Sequence, residues 1–286
     1  FFAAPAQVSA YQQTSPVPCT EVHPLGKAWF GALHIHTNAS YDATAFGVTN
    51  TADDAYAFTR GKTLPLRLQS DPEGFEAPTI SITRPLDFAA VTDHAGVLGE
   101  KRICENPAYP GYQSGLCKLY RGDIRLPLEE AMQSLVRLAT FAIFGQNRSV
   151  LICGENGEHC RREAQRAWED NQQATERWQD NSENCEFTTF HGYEYTLAED
   201  GSNLHRNVIF ANAAIPPAVV SAKDMPKPAN LWRWLQSQCT DAPGACDVMT
   251  IPHNSNWSSG RMWFPYSYRK DLSPEQQRQQ ARHGIC

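Results

Sequence analysis

Four apolar runs of strand length end at or near a histidine or a glutamate, and this recurrence restricts the folds open to the chain. Lys27–His36 ends on His34-Ile35-His36, and Leu86–His94 ends on Asp93-His94. Phe187–Tyr195 carries Glu194 next to its end, and Asp247–Asn254 runs into His253. In a β-strand, side chains at i and i+2 share a face, so His34 and His36 stand side by side. An isolated His-x-His is more often a pair of polar residues on an exposed strand. Here six of the nine histidines fall in expected strands once His191 and His205 are counted. Random placement would scatter more of them onto helices and loops. Polar residues gathered at strand ends are the pattern of parallel α/β barrels, where catalytic groups converge on the C-terminal rim.

The intervening sequence fits such a plan. Leu86–Val91 is mostly apolar without alternation, as in a parallel strand covered on both faces. Asn203–Phe210 is a fifth expected strand. Thr51-Ala52-Asp53-Asp54 reads as a capping box opening a helix through Arg60, with Gly61 at its end. Residues 64–85 are irregular with a small hairpin. From Gly96 to Glu186 the chain makes a long excursion. It has helical periodicity over 128–144 and an amphipathic pattern over 161–180, where Trp168 and Trp178 are packing anchors. Ala229–Gln238 and Ser273–His283 are further helices. The expected organisation is an extended lead-in over residues 1–26, then one domain over 27–286 with a helical insertion at about 96–186.

Composition narrows the partners. The 286 residues suit a single α/β barrel, and 41% hydrophobic residues supply a core. A net charge of −6 argues against a nucleic-acid groove. No apolar run is long enough to span a membrane. Of nine cysteines, three pairs are close in sequence: Cys104 with Cys117, Cys153 with Cys160, and Cys239 with Cys246. Each brackets a loop-forming segment, and no Cys-x-x-Cys occurs, so disulfides in an oxidising compartment are expected rather than structural zinc. The start, Phe1-Phe2-Ala3-Ala4-Pro5-Ala6-Gln7, resembles the tail of a secretory signal, and the expected location is periplasmic or secreted. Ser255 and Ser258 lie in no Gly-x-Ser-x-Gly, which argues against a serine hydrolase. His191 alternates away from Glu194 and reads as a core histidine. His23, His159 and His283 lie in terminal or loop segments.

Taken together, His34-Ile35-His36 followed by Asp42, Val91-Thr92-Asp93-His94, a strand with Glu194, and Pro252-His253-Asn254 resemble the PHP superfamily of polymerases and histidinol phosphatases, in a secreted branch of it. The resemblance runs from about Lys27 to about Trp263. It implies a distorted (β/α)7 barrel with two or three divalent metal ions at its C-terminal rim, zinc, manganese or iron. By the same resemblance His34 and His36 bind one metal, Glu194 bridges two, and His94 and His253 complete neighbouring positions. Asp42 and His205 are further candidate ligands. Asp93 is either a ligand or a group that fixes an imidazole tautomer. Glu194, Asp93 and Arg206 are the candidate catalytic residues, Arg206 as an anion contact. The implied activity is hydrolysis of a small phosphoester or sulfate ester through a metal-activated hydroxide. The rival readings are an amidohydrolase-like C–N hydrolase and a non-catalytic, partner-binding remnant of the barrel. The family's late Asp-x-His motif does not follow His253. The barrel is therefore expected to lack its last strands here, with a second segment or chain completing it.

Overall fold

The computed structural model describes residues 26–144, 148–244, 246–263, 273 and 275–276. In chain order, β1 (Gly31–Ala32) is followed by α1 (Tyr41–Ala45), α2 (Ala52–Thr59), β2 (Leu64–Pro65), β3 (Thr79–Ile80) and β4 (Phe88–Ala89). The excursion holds α3 (Leu98–Glu105), α4 (Gly115–Arg121), α5 (Glu130–Phe144), α6 (Val150–Cys153) and α7 (Glu158–Trp178). Then come β5 (Thr188–Thr189), β6 (His191–Tyr195), β7 (Ala198–Glu199), β8 (Ser202–Asn203), β9 (Arg206–Phe210), α8 (Pro228–Leu235) and β10 (Val248–Pro252).

The architecture is mixed α/β with small sheets. β4 lies between β1 and β5 and is parallel to both. β9 lies between β6 and β10 and is antiparallel to both, so β10 runs in the same direction as β6. The two sheets are stitched together by a parallel bridge between His94 and Glu194, with Glu194 N donating to Asp93 O at 3.0 Å and Ala95 N to Glu194 O at 3.0 Å. Among the described residues no sheet closes on itself. The two ends nevertheless approach: Asn207 Nδ2 on β9 donates to Leu33 O at 2.8 Å, and the rings of His34 and His253 lie 4.1 Å apart. Short parallel pairings allow this curl, because strong twist limits how long a regular ladder persists. β2 and β3 make the small antiparallel hairpin expected between residues 64 and 85.

Burial follows the apolar runs. Ala89, Ala90, Val91 and Thr92 have no exposed surface, as expected for a strand covered on both faces. On one side they meet Tyr56 of α2, Ala174 of α7 and Phe187. Tyr56 keeps its hydroxyl satisfied there, 2.9 Å from Thr175 Oγ1 and accepting from Val91 N. α2 starts with the capping box: Thr51 Oγ1 accepts from Asp54 N, and Asp54 Oδ2 accepts from Thr51 N. The amphipathic α7 turns Trp168 onto Tyr193 and Phe210, with ring centroids at 5.7 and 6.3 Å. Trp168 is 2% exposed, so it is the packing anchor expected, and burial of a ring that size contributes roughly 1.5–3 kcal/mol.

The excursion is stapled. Cys104–Cys117 joins α3 to α4, and Cys153–Cys160 joins α6 to α7. Cys239–Cys246 clips the loop before β10, and Cys185 is also disulfide-bonded. Gly99 packs so tightly on this region that a Cβ there would meet Cys160 O at 1.9 Å. Lys223 Nζ reaches buried Glu100 Oε1 at 2.5 Å, and Arg148 Nη2 reaches Asp224 Oδ1 at 2.8 Å, tying the excursion to the stretch after β9. No described helix is long and apolar enough to cross a membrane. The lead-in up to residue 25, Cys19, Cys286 and most of the expected Ser273–His283 helix lie outside the described residues.

Candidate metal centre

Glu194 is the floor of the site. It sits near the end of β6 with no exposed surface, and five imidazoles surround it. Its two oxygens take different partners. Oε2 lies 3.2 Å from His34 Nε2, 3.0 Å from His36 Nε2 and 3.3 Å from His253 Nε2. Oε1 lies 2.9 Å from His94 Nδ1 and 2.8 Å from His205 Nδ1. Asp42, on the first turn of α1, adds a second carboxylate: its Oδ2 is 3.0 Å from His36 Nδ1 and 3.4 Å from His94 Nε2.

Strand direction explains how these residues meet. β1, β4, β6 and β10 run the same way, so the residues at and beyond their C-terminal ends share a rim. β9 runs against them, and its N-terminal end brings His205 to the same rim, where His253 N donates to His205 O at 3.3 Å. Exposure grades outward. His94 and Glu194 are deep, whereas the side chains of His34 and Asp42 are 39% and 34% exposed and mark the open side.

Asp93 and Arg206 lie elsewhere. Asp93 points away from His94 because successive residues of an extended segment face opposite ways. Its Oδ1 accepts from Thr37 N and Ser40 Oγ, both at 2.7 Å, and its Oδ2 from Thr37 Oγ1 at 2.8 Å. Asp93 is thus neither a member of the cluster nor in contact with an imidazole. It pins the turn between His36 and α1, which in turn presents Asp42. Arg206 pairs in register with Tyr195 and Pro252, and its guanidinium packs 5.4 Å from the Trp232 ring centroid. Its neighbour Asn207 is the one paired with Glu194, and Arg206 does not take the anion-binding place expected of it. His191 lies away from the cluster, with its Nε2 2.7 Å from Glu176 Oε1.

Three further residues complete the neighbourhood. Asn207 closes the sheet onto Leu33. Tyr41 packs its ring 4.8 Å from that of His94. Thr196 Oγ1 lies 2.6 Å from His94 Nδ1 and 3.0 Å from Glu194 Oε1. The last was readable, since Thr196 is two residues beyond Glu194 and shares its face.

The charges are mutually dependent. Burial by itself would push the Glu194 carboxyl up. The imidazoles of His205, His253, His34 and His36 overcome this and hold it far below the usual carboxylate range. Burial opposes the charge on His36 as well, but Asp42 and Glu194 raise its pKa to about 10. His94 is raised by the same two carboxylates against burial, and Asp42 is lowered by His36 and His94 against burial. His205 goes the other way, because burial outweighs the pull of Glu194.

The donor set fits divalent cations. His34 Nε2, His36 Nε2 and Glu194 Oε2 lie 3.0–3.2 Å from one another. Ligands at zinc–nitrogen distances around a tetrahedral ion are separated by about 3.3 Å, so three corners of such a shell are already in place. Both ring nitrogens of His253 are buried without a hydrogen bond, although Nε2 faces Glu194 Oε2. A lone pair so close to a carboxylate oxygen is stable only with a proton or a cation between them. Overlapping triads His34/His36/Glu194, His36/Asp42/His94 and His94/Glu194/His205 each have ligand atoms within 4.8 Å and can hold a metal ion.

The sequence family described as protein of unknown function (DUF3604) matches residues 23–284, and the chain belongs to that family. No curated protein and no solved structure matches it significantly.

Proposed function

We propose that this DUF3604 protein is a metal-dependent hydrolase of a phosphoester or sulfate ester, acting in an oxidising compartment outside the cytoplasm. The curled sheet, with its donors on one rim, is consistent with an incomplete PHP-type barrel. The observation that carries the reading is Glu194: a fully buried carboxylate whose two oxygens face two separate sets of imidazoles. A buried carboxylate costs several kcal/mol in desolvation, and two imidazole sets are more than an isolated ion pair needs. They are what a carboxylate bridging two cations needs.

A divalent cation held there would supply a water of lowered pKa and a positive seat for the oxygens of an ester. The protein's own groups set the rest. His34, His36 and His253 line one side of Glu194 and His205 the other, and these groups would hold the cations. Asp42 and His94 extend the donor set towards the open side. Two divalent cations against two carboxylates leave the centre positive, which favours an anionic ester over a neutral amide. The disulfides support an extracytoplasmic location.

The test is a substrate panel with zinc or manganese: aryl phosphate, phosphodiester, aryl sulfate and anilide. Turnover of a phosphate or sulfate ester is expected, with loss after chelation and in Glu194→Ala. Turnover of the anilide alone would transfer the reading to C–N hydrolysis. Bound metal with no turnover of any class would favour a binding role.

A further inference from the structure

The hydroxyl of Thr196 touches three polar atoms at once. It lies 2.6 Å from His94 Nδ1, 3.0 Å from Glu194 Oε1 and 3.4 Å from Glu194 O. A hydroxyl has one proton to donate and lone pairs to accept with. A carboxylate oxygen and a backbone carbonyl oxygen only accept, so the Thr196 proton goes to Glu194. What remains for His94 is a lone pair, and His94 Nδ1 must therefore be the donor. Glu194 Oε1, 2.9 Å from the same nitrogen, accepts from it as well. The hydrogen-bond pattern thus places a proton on His94 Nδ1 and leaves Nε2, 3.4 Å from Asp42 Oδ2, as the nitrogen that can offer a lone pair to a cation.

We propose that Thr196 is a positioning residue that keeps the ligand nitrogen of His94 turned towards Asp42, and so creates the outer cation position of the cluster. This rests on the reading of the cluster as a metal centre. Without the hydroxyl, Nδ1 keeps only Glu194 as a partner, and it can give up its proton and offer its lone pair on the Glu194/His205 side, where it already lies 2.9 Å from Glu194 Oε1. The two triads containing His94 compete for this one imidazole, whose Nε2 faces Asp42 and whose Nδ1 faces Glu194 Oε1. Thr196 decides between them. The inner position, made by His34, His36 and Glu194 Oε2, uses no atom that Thr196 contacts. Groups that orient metal-binding histidines are typically worth 10–100-fold in metal affinity.

The experiment is zinc titration of the full chain against a chromophoric chelator, with total zinc per protein measured in parallel, for the wild type, Thr196→Val and Thr196→Ser. Long-range nitrogen–proton correlation spectra of the zinc-loaded proteins report the His94 tautomer. In Thr196→Val one zinc should bind about 10–100-fold more weakly while the tightest zinc is unchanged, and His94 should lose its single Nδ1-protonated form. Thr196→Ser, which restores the hydroxyl, should match the wild type within about threefold. Thermal unfolding of the metal-free proteins separates this from loss of fold, because a merely structural role would move the melting temperature and all zinc together. A wild type that binds zinc beside a Thr196→Val that binds it equally well overturns the inference alone. So does a Thr196→Ser as weak as Thr196→Val. A wild type that holds no zinc overturns the metal reading beneath it.

Discussion

At the rim, polar side chains from five separated stretches of chain are held within hydrogen-bond distance of one another. In the excursion from Leu98 to Trp178 the holding is done by apolar side chains and by two disulfides, around Ile103, Tyr120, Ile152 and the four cysteines. The rim crowds five imidazoles on one buried carboxylate; the excursion pairs its buried carboxylates, Glu100 and Glu163, with Lys223, Arg102 and Arg166, and leaves Val150 and Leu151 largely exposed. A donor set as crowded as the rim carries unfavourable lone-pair and desolvation terms that a cation relieves. The excursion gains its stability without a ligand.

That contrast can be broken most severely at Glu194. Glu194→Gln keeps the shape but replaces an acceptor-only group by an amide that donates. Loss of essentially all bound zinc is expected, measured by metal analysis after gel filtration, and zinc retained at the wild-type ratio would refute the bridging role. Next in size is the excursion. Replacing Cys153 and Cys160 by serine removes a disulfide that closes a short loop, worth about 2–3 kcal/mol. The melting temperature should fall by several degrees while zinc content stays the same. A loss of zinc would show that the two regions are energetically joined. The smallest effect is on pH. The His36 imidazole holds its proton up to about pH 10 without metal, so zinc must displace it. Affinity for the zinc at His34 and His36 should therefore rise with pH, by about tenfold per unit between pH 6 and 9 for the His36 proton, and binding should release protons. Calorimetry in two buffers of different ionisation enthalpy checks the sign; proton uptake would contradict it.

The two regions also differ in how far they could be read from residues alone. At the rim, chemistry restricts residue type, so His34, His36, His94, Glu194 and His253 stood out from spacing and strand ends, and the structure brings them together. Asp93 and Arg206 were candidates because each adjoins a histidine in sequence, and the structure turns both side chains elsewhere. Strand alternation turns each away from the histidine beside it. His205 was a weak candidate because the reversed direction of β9 is set by pairing with β6 and β10, which no single segment encodes. In the excursion, helix periodicity and cysteine spacing announced the helices and the disulfides. Contacts such as Gly99 against the Cys160 carbonyl depend on how helices cross, and no pattern of one helix contains that.

The reversal of β9 has a further consequence, for the order of assembly. Glu194 and His205 sit on adjoining antiparallel strands and are only 11 residues apart, from 194 to 205. Their hairpin forms by closing a short loop, which costs little chain entropy. His34 and His253 are 219 residues apart, from 34 to 253, and meet only when the two ends of the sheet come round. Glu194 and His205 can thus be paired by a local closure first, and the coming together of the sheet's two ends then sets His34 and His253 around them.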